Sequence, residues 1–113
     1  MSGVKSLADA QAFHGSFAGG EAVPNTEKVP ALIGQTWRQR GFGDFWQHML
    51  VAQGSGEVGI DPVVAPWDVA PLIIIVEEAG GRATTVAGTV DVYGGSLVTS
   101  NGLLHDEVLA AFA

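Results

Sequence analysis

The chain has no cysteine. That excludes a disulfide framework and a thiolate metal site, and it leaves the redox compartment unconstrained. Basic residues are scarce: five Lys and Arg stand against twelve Asp and Glu, for a formal charge of −7. The five stand singly, whereas a nucleic-acid surface needs them clustered, so no nucleic-acid partner is expected. The acidity suits solubility or cation binding. Long apolar runs are missing too. The longest, residues 69–76, has eight residues and includes a proline, whereas a membrane span needs about 20. No membrane partner is expected. Residues 1–10 hold one lysine and no apolar signal core, so a cytoplasmic location is the default expectation. No histidine pair at zinc-binding spacing and no G-x-S-x-G elbow occur, which argues against a histidine zinc site and a triad hydrolase.

What is present supports one folded domain. Hydrophobic residues make up 47% of the 113, enough for a core. Sixteen glycines divide the chain into short elements. Residues 10–17 mix small and aromatic side chains and are predicted as a strand, with a loop over 18–24. Residues 1–24 otherwise carry little pattern. Asn25 or Thr26 can cap a helix to about residue 35, followed by an extended stretch through Arg40. Asp44, with Gln47 three residues on, forms a capping-box pattern. Phe45, Trp46, Met49, Leu50 and Ala52 then recur at helical spacing, and Gly54 suits a left-handed stop. Residues 57–60 read as a strand and 61–66, with two prolines, as a link. Residues 82–86 and 97–100 read as strands around a glycine-rich connection. Asn101 caps a last helix whose Leu104, Val108, Ala111 and Phe112 share one face. Helices alternating with short strands predict an α/β fold, a layered sheet-and-helix domain.

The segment Trp67-Asp68-Val69-Ala70-Pro71-Leu72-Ile73-Ile74-Ile75-Val76-Glu77-Glu78-Ala79-Gly80-Gly81 is the most informative. It places one carboxylate ahead of an apolar run that stops at Gly-Gly. A strand over residues 72–76 fits on propensity. Pro71, tolerated in a first helical turn, and the Glu77-Glu78-Ala79 exit favour a helix. With no polar face, that helix is expected to be buried on most sides. Gly54-Ser55-Gly56-Glu57-Val58-Gly59 matches G-x-G-x-x-G, but a helix precedes it and a strand follows. A dinucleotide site needs the reverse order, so a glycine-rich turn is the better account. His14, His48 and His105 stand isolated, and Glu77 and Glu78 read as structural.

Asp44, Asp61 and Asp68 each fall at a helix start or in the link before one. Capping accounts for such carboxylates, which meet free N–H groups and the positive end of the helix dipole. Convergence on a hard cation is the other account. Mg²⁺ takes one or two carboxylates and shares the rest with water and phosphate. Spacing alone leaves both open.

Residues 67–81 resemble the C-terminal signature of the inositol monophosphatase family of Mg²⁺-dependent phosphatases. Gly43-Asp44-Phe45-Trp46, followed by Val51-Ala52 and Gly54, is similar to its histidinol-phosphatase branch. Asp61, seven residues before Asp68, stands where the family has a glutamate. Ser100-Asn101-Gly102-Leu103-Leu104-His105 resembles the family's closing strand-to-helix junction. The likeness runs from about Arg38 onward and is faint over residues 7–17. Pro71 replaces a small residue.

The resemblance implies the C-terminal portion of that fold and a Mg²⁺-assisted phosphomonoesterase acting on a small phosphorylated metabolite. It implies Asp68 as a metal ligand, and Asp44 and Asp61 as contacts to the substrate's leaving group. The cationic amine of histidinol phosphate suits acidic contacts, and Phe45-Trp46 favours that branch. The family's Glu-Glu helix and Asp-Pro-x-Asp-Gly-Thr segment have no counterpart in residues 1–37, so no catalytic base is assigned. The chain is therefore expected to be a single partial domain over residues 1–113, matching a C-terminal half with little or no activity alone. The missing half would be supplied in trans, or a homo-oligomer would form. The alternative is a non-catalytic domain that binds a metabolite or partner, or self-associates through an exposed apolar face.

Overall fold

Side chains on a strand point alternately to its two faces, and in this protein helices cover both faces of the sheet. The computed structural model describes residues 1–15 and 26–113. After a 3-10 turn at Leu7–Asp9 comes strand β1 (Gln11–His14). Helix α1 (Val29–Ile33) is entered through a second such turn, Thr26–Lys28. Then follow β2 (Arg38–Gly41), α2 (Asp44–Ala52), β3 (Val58–Asp61), α3 (Pro66–Glu78), β4 (Arg82–Thr84), β5 (Leu97–Ser100) and α4 (His105–Ala110).

The strands form one mixed sheet in the order β2-β1-β3-β5-β4. β1 runs parallel to both β2 and β3, whereas β5 is antiparallel to β3 and β4. From β1 the chain goes out to β2 on one side and returns through α2 to β3 on the other. β1 is therefore a topological switch point. Open α/β sheets bind ligands outside the carboxyl ends of their strands at such a point.

Alternation sorts the core into two layers. Ala12, Val58, Ile60 and Val98 pack against Val29 and Leu32 of α1 and against Leu104, Val108 and Phe112 at α4. Leu97 and Ala83 face the other way, onto Val69, Leu72, Ile73 and Val76 of α3, with Met49 and Ala52 of α2 beside them. Each buried aliphatic side chain contributes about 2 kcal/mol of gross transfer free energy. The layered α/β class and the apolar face of α4 are as the sequence predicts.

Several local expectations change. α3 forms, with Val69, Leu72, Ile73 and Val76 inward at helical spacing, but it is not buried on most sides: Trp67 is 79% exposed and Ile74 63%. Pro71 lies inside α3, beyond its first turn. It is exposed, so water can take the Trp67 carbonyl that its missing N–H would have met. Asp44 is the first helical residue of α2 and not its cap. Gly43 caps it at φ 75°, and Asp44 itself has φ 51°, a region where aspartate is better tolerated than most residues. Gln47 does reach back, accepting the Gly43 N–H at 3.3 Å. β4 ends at Thr84 because the Thr85 N–H donates to Thr89 O across a turn. Asn101 Oδ1 accepts the N–H groups of Leu103 and Leu104, and so caps the turn before α4. The end of the first predicted strand, the loop over 18–24 and Asn25 lie outside the described residues. No helix among the described residues is long and apolar enough to cross a membrane.

Candidate functional site

Asp61 ends β3, and strand alternation sets its direction. Val58 and Ile60 turn toward α1 and α4, so Gly59 and Asp61 turn toward α2. There the fully buried His48 meets Asp61 Oδ2 through Nε2 at 2.8 Å. Gln47 donates its amide N–H to the same oxygen at 2.7 Å and to the Ile60 carbonyl at 3.3 Å. On its far side, His48 Nδ1 lies 2.7 Å from Thr99 Oγ1 of β5. A carboxylate only accepts, so the Nε2–H donates to Asp61. In the neutral ring Nδ1 then accepts the Thr99 O–H, a tautomer assigned from the network.

Two glycines make this arrangement fit. A Cβ on Gly59 would lie 2.7 Å from Thr99 Oγ1 and 2.9 Å from His48 Nδ1. A Cβ on Gly15, just past β1, would collide with Asp61 Oδ1. Oδ2 is thus committed to the fold, and Oδ1 lies beside bare backbone at the end of β1.

All three aspartates singled out in the sequence line one cleft of about 380 Å³. Asp44 comes from the start of α2, Asp61 from the end of β3, and Asp68 from the first turn of α3; Phe45, Val63, Val64, Ala65 and Leu72 complete the wall. A neighbouring hollow of about 540 Å³ shares Asp44, Asp61 and Val63 and adds His14, Gly15, Gly41, Phe42 and Gly43. The cleft opens at the carboxyl end of β3, and the second hollow at the carboxyl ends of β1, β2 and β3. Phe42 stacks on Trp46 with centroids 5.5 Å apart and leans on Phe13 at 5.7 Å. Asp44 and Asp68 are exposed, whereas Asp61 is only 9% exposed. Among the described residues no group of three or more His, Cys, Asp or Glu could hold a metal ion. The carboxylates therefore share a cleft without forming a complete metal cage.

The histidines are not isolated in space. His48 belongs to the Asp61 network, and His14 lines the second hollow. His105 lines neither hollow and forms a buried clamp instead. Thr84 O–H donates to the Thr85 carbonyl at 2.8 Å, so Thr84 Oγ1 accepts the His105 Nε2–H, also at 2.8 Å. Ser100 O–H then donates to Nδ1 at 2.7 Å. Burial, helped by the Arg82 charge and opposed by Asp106, lowers the His105 pKa from 6.5 to about 4. The Arg82 guanidinium, bonded to Asp106 at 2.8 Å, lowers the Asp106 pKa below its usual value. The only trace in the sequence of the His48–Asp61 pair is the strand alternation that points residue 61 at α2.

A sequence profile of the inositol monophosphatase family matches residues 18–113. The histidinol-phosphatase of Mycobacterium tuberculosis is 42% identical over 109 residues, covering 96% of this chain and 42% of that protein. The chain thus spans less than half the length of this curated relative. The solved inositol monophosphatase of Thermotoga maritima is similar with a TM-score of 0.83 and 28% identity, over 99% of this chain and 43% of that one. An inositol monophosphatase/NADP phosphatase solved with Mg²⁺ and phosphate shares the fold, with a TM-score of 0.78, 24% identity, and coverage of 97% and 42%.

Proposed function

Because this chain belongs to the inositol monophosphatase family, we propose that its acidic cleft forms part of a Mg²⁺-dependent phosphomonoesterase site whose substrate is histidinol phosphate. The observation that carries this is the meeting of Asp44, Asp61 and Asp68 around one cleft at the carboxyl end of β3, the strand next to the switch point of the sheet. Likeness to a histidinol-phosphatase supports the substrate.

Asp68 is assigned to the metal. Its carboxylate lies in a cleft whose acidic side chains offer only hard oxygen donors, which fits Mg²⁺ better than a soft ion. It would supply one ligand, leaving the other positions to substrate phosphate and water. When bound, Mg²⁺ neutralises phosphate charge and lowers the pKa of a coordinated water. Asp44 and Asp61 take the substrate's ammonium group. Phe45 offers a face for its ring, and Val63, Val64 and Leu72 keep that end of the cleft apolar. None of these residues is assigned as the general base.

Phosphate release from histidinol phosphate and inositol phosphate, with and without Mg²⁺ and with Asp68→Asn as control, tests this function. We expect little or no turnover by the chain alone, and substantial Mg²⁺-dependent turnover would overturn that expectation. The site assignment stands if wild-type chain binds histidinol phosphate in the presence of Mg²⁺ and Asp68→Asn does not. A second reading, a non-catalytic domain that associates with a copy of itself or a partner, draws on the exposure of Phe45, Trp46, Trp67, Ile74 and Ile75. Binding of partner protein without binding of either phosphate would favour it.

A further inference from the structure

The Asp61 carboxylate is more tightly held than a residue at a strand end needs to be. Oδ2 takes two donors from consecutive residues of α2, and one of them, His48, is backed by Thr99 across the sheet. Three elements therefore fix the rotation of one short side chain. Gly59 makes room for the ring, and Gly15, having no Cβ, lets the other oxygen pack beside its backbone where Asp61 lines both hollows. A carboxylate with both oxygens available accepts two hydroxyls of a polyol side by side. A carboxylate with one oxygen already saturated offers a single acceptor that still carries negative charge. That geometry favours one charged N–H donor, whose hydrogen bond to a carboxylate is stronger than that of a neutral hydroxyl.

Resting on the reading of Asp61 as the contact for the substrate's ammonium, we infer that His48 is a positioning residue. It sets Asp61 to accept a primary ammonium group in preference to a polyol. His48 does not touch the ligand and acts only through Asp61.

The test is calorimetric binding of histidinol phosphate and of inositol phosphate to the 113-residue chain in Mg²⁺. Wild type is compared with His48→Gln, His48→Phe and Asp61→Asn, each checked for a cooperative melt. Wild type should prefer histidinol phosphate by about tenfold, the scale of one charge-assisted hydrogen bond. His48→Gln restores an amide donor near the place of Nε2 and should retain most of that preference. His48→Phe fills the space without a donor and should bring the two affinities close to parity, as should Asp61→Asn. A preference kept by His48→Phe but lost by Asp61→Asn overturns the positioning role and leaves the proposed function standing. Failure of wild type to bind either phosphate overturns that function and this inference together. Should His48→Phe not fold, ¹⁵N spectra of wild type decide. The His48 Nε2 resonance must move when histidinol phosphate saturates the site, and an unmoved resonance refutes the coupling.

Discussion

His48 Nε2 lies 2.8 Å from Asp61 Oδ2, with the histidine fully buried and the aspartate nearly so. The pair joins α2 to the end of β3 and puts a carboxylate at the mouth of the cleft. Removing His48 takes away one of the two donors to a buried carboxylate oxygen, a loss on the order of 1–3 kcal/mol. His48→Ala should lose about 2–3 kcal/mol of unfolding free energy in urea, because Gln47 still bonds Asp61. Thr99→Val removes only the hydroxyl behind the ring and should lose about 1 kcal/mol.

Gly59→Ala inserts a methyl where His48 and Thr99 already meet. Overpacking of this kind costs roughly 1–3 kcal/mol. The melting temperature should fall, and the His48 ring resonances should shift. An unchanged melt would show that the ring has room the structure does not give it.

Asp68→Asn should leave the fold nearly untouched. The residue is exposed in the first turn of α3, where its charge contributes about 0.3–1 kcal/mol through the helix dipole. Amide shifts around residues 65–72 on Mg²⁺ titration should be present in wild type and absent in the variant.

His105 predicts an acid-side loss of stability. Its pKa is about 4 in the fold against an ordinary 6.5. Between those values the unfolded chain binds the extra proton, so stability rises with pH across this window. The contribution is complete above about pH 6.5, is lost as pH falls toward 4, and is on the order of 3 kcal/mol. Urea unfolding at pH 4, 5, 6 and 7 should show the slope, and His105→Gln should flatten it.

The outer face of α3 predicts association. Trp67 and Ile74 are largely exposed, as are Phe45 and Trp46 of α2. Apolar patches of this kind mark interaction surfaces. Light scattering should show mass rising with concentration in wild type and less so in Trp67→Glu with Ile74→Glu. A monodisperse monomer at every concentration would refute it.

Much of the frame was legible. α3 and α4 announce themselves through apolar residues at helical spacing, and β5 through a short β-prone run ending at Ser100-Asn101. These signals are local, set by the period of each element. The errors were local too, but their causes were not. Pro71 sits deeper in α3 than its chemistry prefers because exposure lets water replace the lost bond. The sequence predicts α3 buried on most sides because a run of isoleucines does not say which of them meets a neighbour.

The amino-acid sequence by itself determined the chemistry on offer: hard oxygen donors, no thiolate, net negative charge, and three aspartates at or near the starts of elements. Those properties belong to residues and survive any arrangement. Only the tertiary structure decided that the three share a cleft, because that depends on α2 and α3 packing together beside the carboxyl end of β3. Only it joined His48 to Asp61 and Thr99, since a contact between α2, β3 and β5 follows from strand order and register, which no local pattern encodes.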